Sequence, residues 1–309
     1  MHCTVATSRR LGAGIVMLLA MLALGLCISC RSALAYSAAG DRLFPATAWL
    51  PQIAPSDALY AWGWTLPLDG DTPGAGKRVS SIALAFNKTI TERLGFVIEN
   101  TWSHMDRIGM HAWEGWKNLD TEIKYLAIDS HPHEFLLTFG VDREFATGDT
   151  RLGASSSGAT TPRIYFGKGL GDLDIGNLRP LAVTGLIGYQ FADSSPRPDR
   201  VTMGLVVEYS IPYLQSKVRS FDLPNVMRGL TPMVEISLNV PSGRRFGART
   251  TGVISPGLSY SGAGWEFHVA ALVPLTHATA YGTGVIAQIH LSLDYFFSRS
   301  IGRPLFTAN

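Results

Sequence analysis

The feature that most constrains this chain is an alternation of period two that recurs along most of its length. In its last long example, Val285, Ala287, Ile289, Leu291, Leu293, Tyr295 and Phe297 fall on one face. Ile286, Gln288, His290, Ser292, Asp294 and Phe296 fall on the other. Such spacing makes a strand with one apolar face and one mostly polar face. Repeated at lengths near the ~9–11 residues that cross a bilayer at a tilt, it predicts an all-β fold, a transmembrane antiparallel up-and-down β-barrel.

Twelve candidate strands lie near residues 58–66, 79–87, 93–103, 118–128, 133–142, 162–170, 179–191, 200–210, 231–240, 250–260, 264–274 and 284–297. Several are strongly two-faced: Val234, Ile236, Leu238 and Val240 oppose Glu235, Ser237 and Asn239. An even count returns both chain ends to the same side of the membrane. Links after odd-numbered strands are mostly longer, as external loops are, and several links after even-numbered strands are short turns. The exception at residues 211–230 holds Tyr213, Leu214, Val218 and Phe221 at roughly helical spacing, which predicts a short periplasmic helix or folded turn.

Ahead of the strands, Arg9 and Arg10 precede an apolar run from Leu11 to Ile28, and Ala33, Leu34 and Ala35 offer a small-residue cleavage site. That pattern predicts a cleaved signal helix over residues 1–35. Residues 36–57 contain Pro45, Pro51 and Pro55 and resist regular structure, so they form either a periplasmic tail or a plug in the lumen; residues 58–306 form the barrel. Cys3, Cys27 and Cys30 all fall in the signal, which leaves no disulfide framework or cysteine metal site behind it. The formal charge of +2 is likewise a property of the signal. Without Arg9, Arg10 and Arg31, the 26 bases become 23 against 24 acids, a balance of −1 that suggests no nucleic-acid partner. The partners expected are outer-membrane lipid, the barrel assembly machinery and a small-molecule solute.

Aromatic residues at or near strand ends, among them Trp62, Trp64, Trp102, Trp113, Trp116, Trp265, Tyr209, Tyr295 and Phe297, fit the girdles of a membrane barrel. They would equally fill the core of a soluble sandwich.

Four segments carry a family resemblance: Val207 to Ser216, Thr231 to Glu235, Arg249 to Gly257 and Ser300 to Phe306. Together they resemble Gram-negative outer-membrane barrels described as transporters, related to the family named after the meta-pathway of phenol degradation. The resemblance implies a barrel that passes small molecules, hydrophobic ones among them, and assigns no site residues. The chain departs from the wider outer-membrane pattern by ending in Thr307, Ala308 and Asn309 rather than in an aromatic residue.

With the apolar faces toward lipid, the lumen-lining candidates are Glu99, Glu122, Lys124, Glu134, Glu208, Glu235, Glu266, His268, His290 and Asp294. Two readings of these groups compete. An acidic lumen would favour cations; alternatively, the acids are satisfied by arginines such as Arg163 or by backbone donors, because isolated interior charge is costly. Catalysis is weakly supported. Ser103-His104 and the His131/His133 pair lack a readable orienting partner or oxyanion donor, and nothing implies a nucleotide, redox or metal cofactor. The function expected is passive passage of small solutes; the alternatives are a barrel with a blocked lumen and, less well supported, an outer-membrane hydrolase.

Overall fold

The computed structural model describes residues 37–69, 76–107, 111–194, 197–242 and 248–306. The signal expected over residues 1–35, with its three cysteines, lies outside the described residues. A small hairpin, β1 (Ser37–Ala39) and β2 (Arg42–Phe44), comes first. The wall follows as β3 (Ala58–Asp69), β4 (Gly76–Thr89), β5 (Leu94–Arg107), β6 (Trp113–Trp116), β7 (Leu119–Ser130), β8 (Phe135–Phe145) and β9 (Ala159–Gly169). It continues with β10 (Leu181–Ala192), β11 (Arg200–Tyr209), β12 (Leu230–Pro241), β13 (Thr251–Ser261), β14 (Trp265–Pro274) and β15 (Gly284–Ser292).

Strands β6 and β7 pair successive stretches of β5 and together make one stave. Every stave pairs antiparallel with its sequence neighbour, and β15 closes on β3, with Val285 opposite Thr65 and Ser292 opposite Ala58. The result is a closed barrel of twelve staves. We call the end where β3 begins the lower end.

The staves match the period-two segments closely, with one clear correction. β15 ends at Ser292, not at Phe297, because the Ser292 hydroxyl accepts from the Tyr295 amide and caps a helical turn at Leu293–Phe296. Asp294 therefore lies below the wall. In the long lower link, Ile211–Tyr213 is helical and runs into a wider turn at Leu214–Val218, as its apolar spacing suggested.

Outward positions carry the apolar stripe. Leu84, Ile98, Ile123, Phe139, Val141, Ile164, Ile187, Leu205, Val207, Val234, Leu258 and Val285 are exposed large hydrophobic residues distributed around the barrel. So continuous an apolar exterior on a closed sheet suits acyl chains rather than water. The chain is a transmembrane β-barrel of the outer-membrane type. Among the described residues no helix is long and apolar enough to cross a membrane.

The buried core lies inside the barrel, where residues 37–57 form a plug. Phe44, Ile53 and Ala54 pack on Leu126, Leu136, Tyr165 and Ala182 of β7 to β10. Leu50 meets Val206 and Met233, Ala48 meets Ala270, Leu272 and Ile286, and Ala46 meets Ala58, Tyr60 and Ala85. Wall glycines allow the close approach: a Cβ at Gly204 would sit 2.7 Å from a Leu50 methyl, and one at Gly167 would sit 2.8 Å from the Ile53 methyl.

Candidate functional site: a plugged lumen and its vestibule

Residues 37–44 of the plug form the hairpin, which was not expected from the sequence; beyond it three prolines keep the rest out of regular structure, so its backbone amides need partners elsewhere. Wall carboxylates supply several of them. Ala46 N–H donates to Glu266 at 2.9 Å, and Ala48 and Trp49 N–H donate to the two oxygens of Glu235 at 3.1 and 2.9 Å. Lys124 Nζ donates at 2.5 Å to the carbonyl of Gln52. At the point where the plug enters β3, Asp57 accepts from Lys88 Nζ at 2.5 Å, from the Thr89 amide at 2.9 Å and from the Thr89 hydroxyl at 2.6 Å.

The hairpin is fastened at the lower end by Arg42, which is fully buried. Its Nε donates to Glu134 at 3.1 Å, its Nη1 to the Pro180 carbonyl at 3.0 Å, and its Nη2 to the Arg179 carbonyl. The guanidinium also lies 3.8 Å from the centre of the Tyr213 ring. Glu134 is completed by the Tyr213 hydroxyl at 2.7 Å and the Gly171 amide at 3.0 Å. Burial, and then its hydrogen bond to Glu134, raise the Tyr213 phenol above its ordinary pKa. Glu134 sits at φ 45° after the turn His131–His133, so it belongs to a lower turn rather than to a strand.

Above the plug the lumen widens into a vestibule of about 390 Å³. Its floor is residues 46–52 of the plug. One side carries Trp62 and Trp64 of β3, with Trp49 of the plug set edge-on to Trp64 at 5.5 Å. The arc from β5 to β9, which begins two staves from β3, carries Glu99, Asp120, Lys124, Asp142, Glu144 and Arg163. Glu99 faces Asp120 across the β5–β7 pairing, and Asp120 faces Glu144 across β7–β8. Between the two arcs stands the single stave β4, whose inner face there carries only the small Ala83 and Ala85.

The ten lumen candidates therefore separate into distinct environments. Glu99 and Lys124 line the vestibule. Glu122 is buried behind it, accepting from the Tyr165 hydroxyl at 2.5 Å with Lys124 Nζ 3.4 Å away. Glu235 and Glu266 hold the plug, and His290 reaches Glu266 at 3.2 Å while stacking on Tyr60 at 4.3 Å. Glu208 and His268 face inward but are buried against the filled lower half. Glu134 and Asp294 lie outside the strands. Asp120, Asp142, Glu144 and the three tryptophans are additions to the sequence-derived set. Asp120 could have been found by following the parity of Glu122 two residues back along β7, and Asp142 stands directly opposite Glu122 on β8.

Two further expectations change. Trp62 and Trp64 point into the lumen rather than toward the headgroups, whereas Trp102 and Trp116 pair on the outer face. Ser103 and His104 fall on opposite faces of β5: Ser103 is inside, 2.8 Å from Ser81, and His104 is outside, 3.1 Å from Asp106 and 3.6 Å from Glu114. The pleat thus separates that Ser-His pair. His131 and His133 lie in an exposed turn, and among the described residues no group of three or more metal-ligating side chains forms.

No protein-family model matches the chain, and no curated protein matches it. Among solved structures it is similar to the KdgM porin, at 13% identity over 76% of this chain and 98% of that one, with a TM-score of 0.43. It is also similar to the β domain of the Bordetella autotransporter BrkA, at 9% identity over 76% and 99% of the two chains, with a TM-score of 0.45. LpxR from Salmonella typhimurium matches at 10% identity over 76% and 99%, with a TM-score of 0.42. The fold rests on the strand register given above, and these likenesses add no argument about function.

Proposed function

We propose that this protein is an outer-membrane channel for small solutes, closed at rest by its own residues 37–57, with the long-loop end external and the plug in the periplasmic half. The observation that carries this reading is the way the plug is held. Its attachments are hydrogen bonds, the ion pairs Arg42–Glu134, Asp41–Lys217 and Asp57–Lys88, and apolar contacts, while an open vestibule stands above it. A segment held by such contacts, with Asp57 pinning its exit into β3, can swing from that point without disturbing the wall. The mixed lining of the vestibule suits small and partly apolar solutes, in keeping with the resemblance to the phenol meta-pathway-type barrels. Selectivity would follow from the lining charge and the bore.

A second reading, a structural barrel whose lumen is permanently blocked, draws on the same filled lower half. One pair of experiments separates the two. Deleting residues 37–54 should convert a nearly silent protein into one with steady conductance in a planar bilayer. Cysteines introduced at Ala48 and Ala270, members of one buried cluster, should lock the plug when oxidised. Solute entry into proteoliposomes should then stop and return on reduction. Absence of current from the deletion, together with solute entry indifferent to the lock, would leave the blocked barrel standing.

A further inference from the structure

We propose that the vestibule is a binding site for small amines in their cationic form, with an aromatic or alkyl body. The inference rests on the channel reading for its biological sense, though the binding itself is measured separately.

Charge is the first argument. Of the vestibule acids, Asp142 is paired with Arg163 at 2.9 Å, and Glu144 is bonded by Arg197 and by Asn118. Lys124 is engaged by Glu122 and by the Gln52 carbonyl. Glu99 and Asp120, directly opposite each other, make no hydrogen bond or ion pair among the described residues. Two adjacent carboxylates so placed favour a positive partner, and solvent alone compensates them poorly in a narrow bore.

An unmet acceptor is the second. Gln288 lines the same cavity beside Trp62, is only 5% exposed, and has its side-chain oxygen buried without a hydrogen-bond partner. Buried acceptors of this kind are normally satisfied, and a turn of the Gln288 side chain toward the cavity it lines would bring this one to a ligand N–H. The carboxylates of β5 and β7 and the amide of β15 thus bring acceptors from separate arcs of the wall.

The third argument is the aromatic wall. Trp62, Trp64 and Trp49 offer indole faces and edges to the same space, and an ammonium or guanidinium over an indole is attracted by the ring quadrupole. The protein already uses Trp64 in this way, since Lys117 Nζ lies 6.0 Å from its ring centre. Indole surface also accepts an apolar body that carboxylates alone would not hold. The volume of about 390 Å³ falls in the range of small-molecule sites.

The test uses the full barrel in detergent and three probes of one shape: 2-phenylethylamine, 2-phenylethanol and phenylacetate. Binding is followed by calorimetry and by tryptophan fluorescence. The amine should bind at least about tenfold more tightly than the alcohol, and the carboxylate least tightly. Replacing Glu99→Gln together with Asp120→Asn should remove the preference for the amine while leaving binding of the alcohol in place. Heat-modifiable migration on gels confirms that the variant is folded, and the three-probe ranking on the unmodified protein stands as a test without it. Equal binding of the three probes, binding of none, or an amine preference unchanged in the folded variant would overturn the proposal. Amine binding without solute flux from the plug deletion would uphold the site and sink the channel. Flux without amine preference would do the reverse.

Discussion

Replacing Arg42 by alanine should loosen the plug without unfolding the barrel. The side chain is fully buried and gives three hydrogen bonds, one of them to Glu134, with a cation–π contact to Tyr213. Its removal leaves Glu134 with the Tyr213 hydroxyl and the Gly171 amide but without a counter-ion, takes a donor from the Arg179 carbonyl, and leaves the Pro180 carbonyl with the Ser210 amide. Breaking a buried pair by deleting one partner costs about 3–5 kcal/mol. Since about 1.4 kcal/mol is a factor of ten, docking of the plug should weaken by roughly 150- to 5,000-fold. Phe44, Leu50 and Ile53 remain buried, at about 1.5–3 kcal/mol each, so the plug should still spend most of its time docked. Amide hydrogen exchange, read by mass spectrometry on peptides covering residues 44–54, reports such local openings. Protection there should fall by about two to nearly four orders of magnitude on these figures, while β10 to β14 keep theirs. Unchanged protection in the plug would refute the latch, and equal loss in the wall strands would show that Arg42 supports the whole barrel instead.

Two further expectations probe the wall from either side. Gly204→Val should push against Leu50, whose side-chain atoms lie 2.7–2.9 Å from the Cβ position. Overpacking of this sort costs about 1–3 kcal/mol; it should speed exchange in the plug peptides and raise bilayer current, and neither change would occur if the contact is dispensable. Ile123→Arg places a cation on the outer face where the isoleucine is 58% exposed, near the middle of β7. In a bilayer this should cost about 2–4 kcal/mol, seen as a lower urea midpoint in liposomes. A midpoint like that of the unaltered protein would mean that this face does not meet lipid.

Much of the fold is legible in the sequence because strand pleat is local. Alternation at β12 and β14 tells which residues share a face, and the limits of most staves follow within a few residues. Faces are harder to orient where both are apolar. On β3 the inner Tyr60, Trp62 and Trp64 are larger than the outer Leu59, Ala61 and Gly63, so a rule that sends tryptophan to the headgroups places them wrongly. The interior can hold them because the plug and the vestibule give it an apolar side. The end of β15 was hidden for a related reason: Leu293, Tyr295 and Phe297 continue the alternation, and only the Ser292 cap turns the chain away.

Local alternation was enough to read a barrel of about twelve staves and, Glu134 and Asp294 apart, the charges that turn from the lipid, since pleat depends on residues one or two apart. Closure decided the rest. Arg42 meets Glu134 across 92 positions, and Ala46 meets Glu266 across 220. Whether residues 37–57 hang free or fill the bore depends on such meetings. No local pattern encodes them, because a carboxylate on an inner face reads the same whether it waits for a solute or holds a backbone amide.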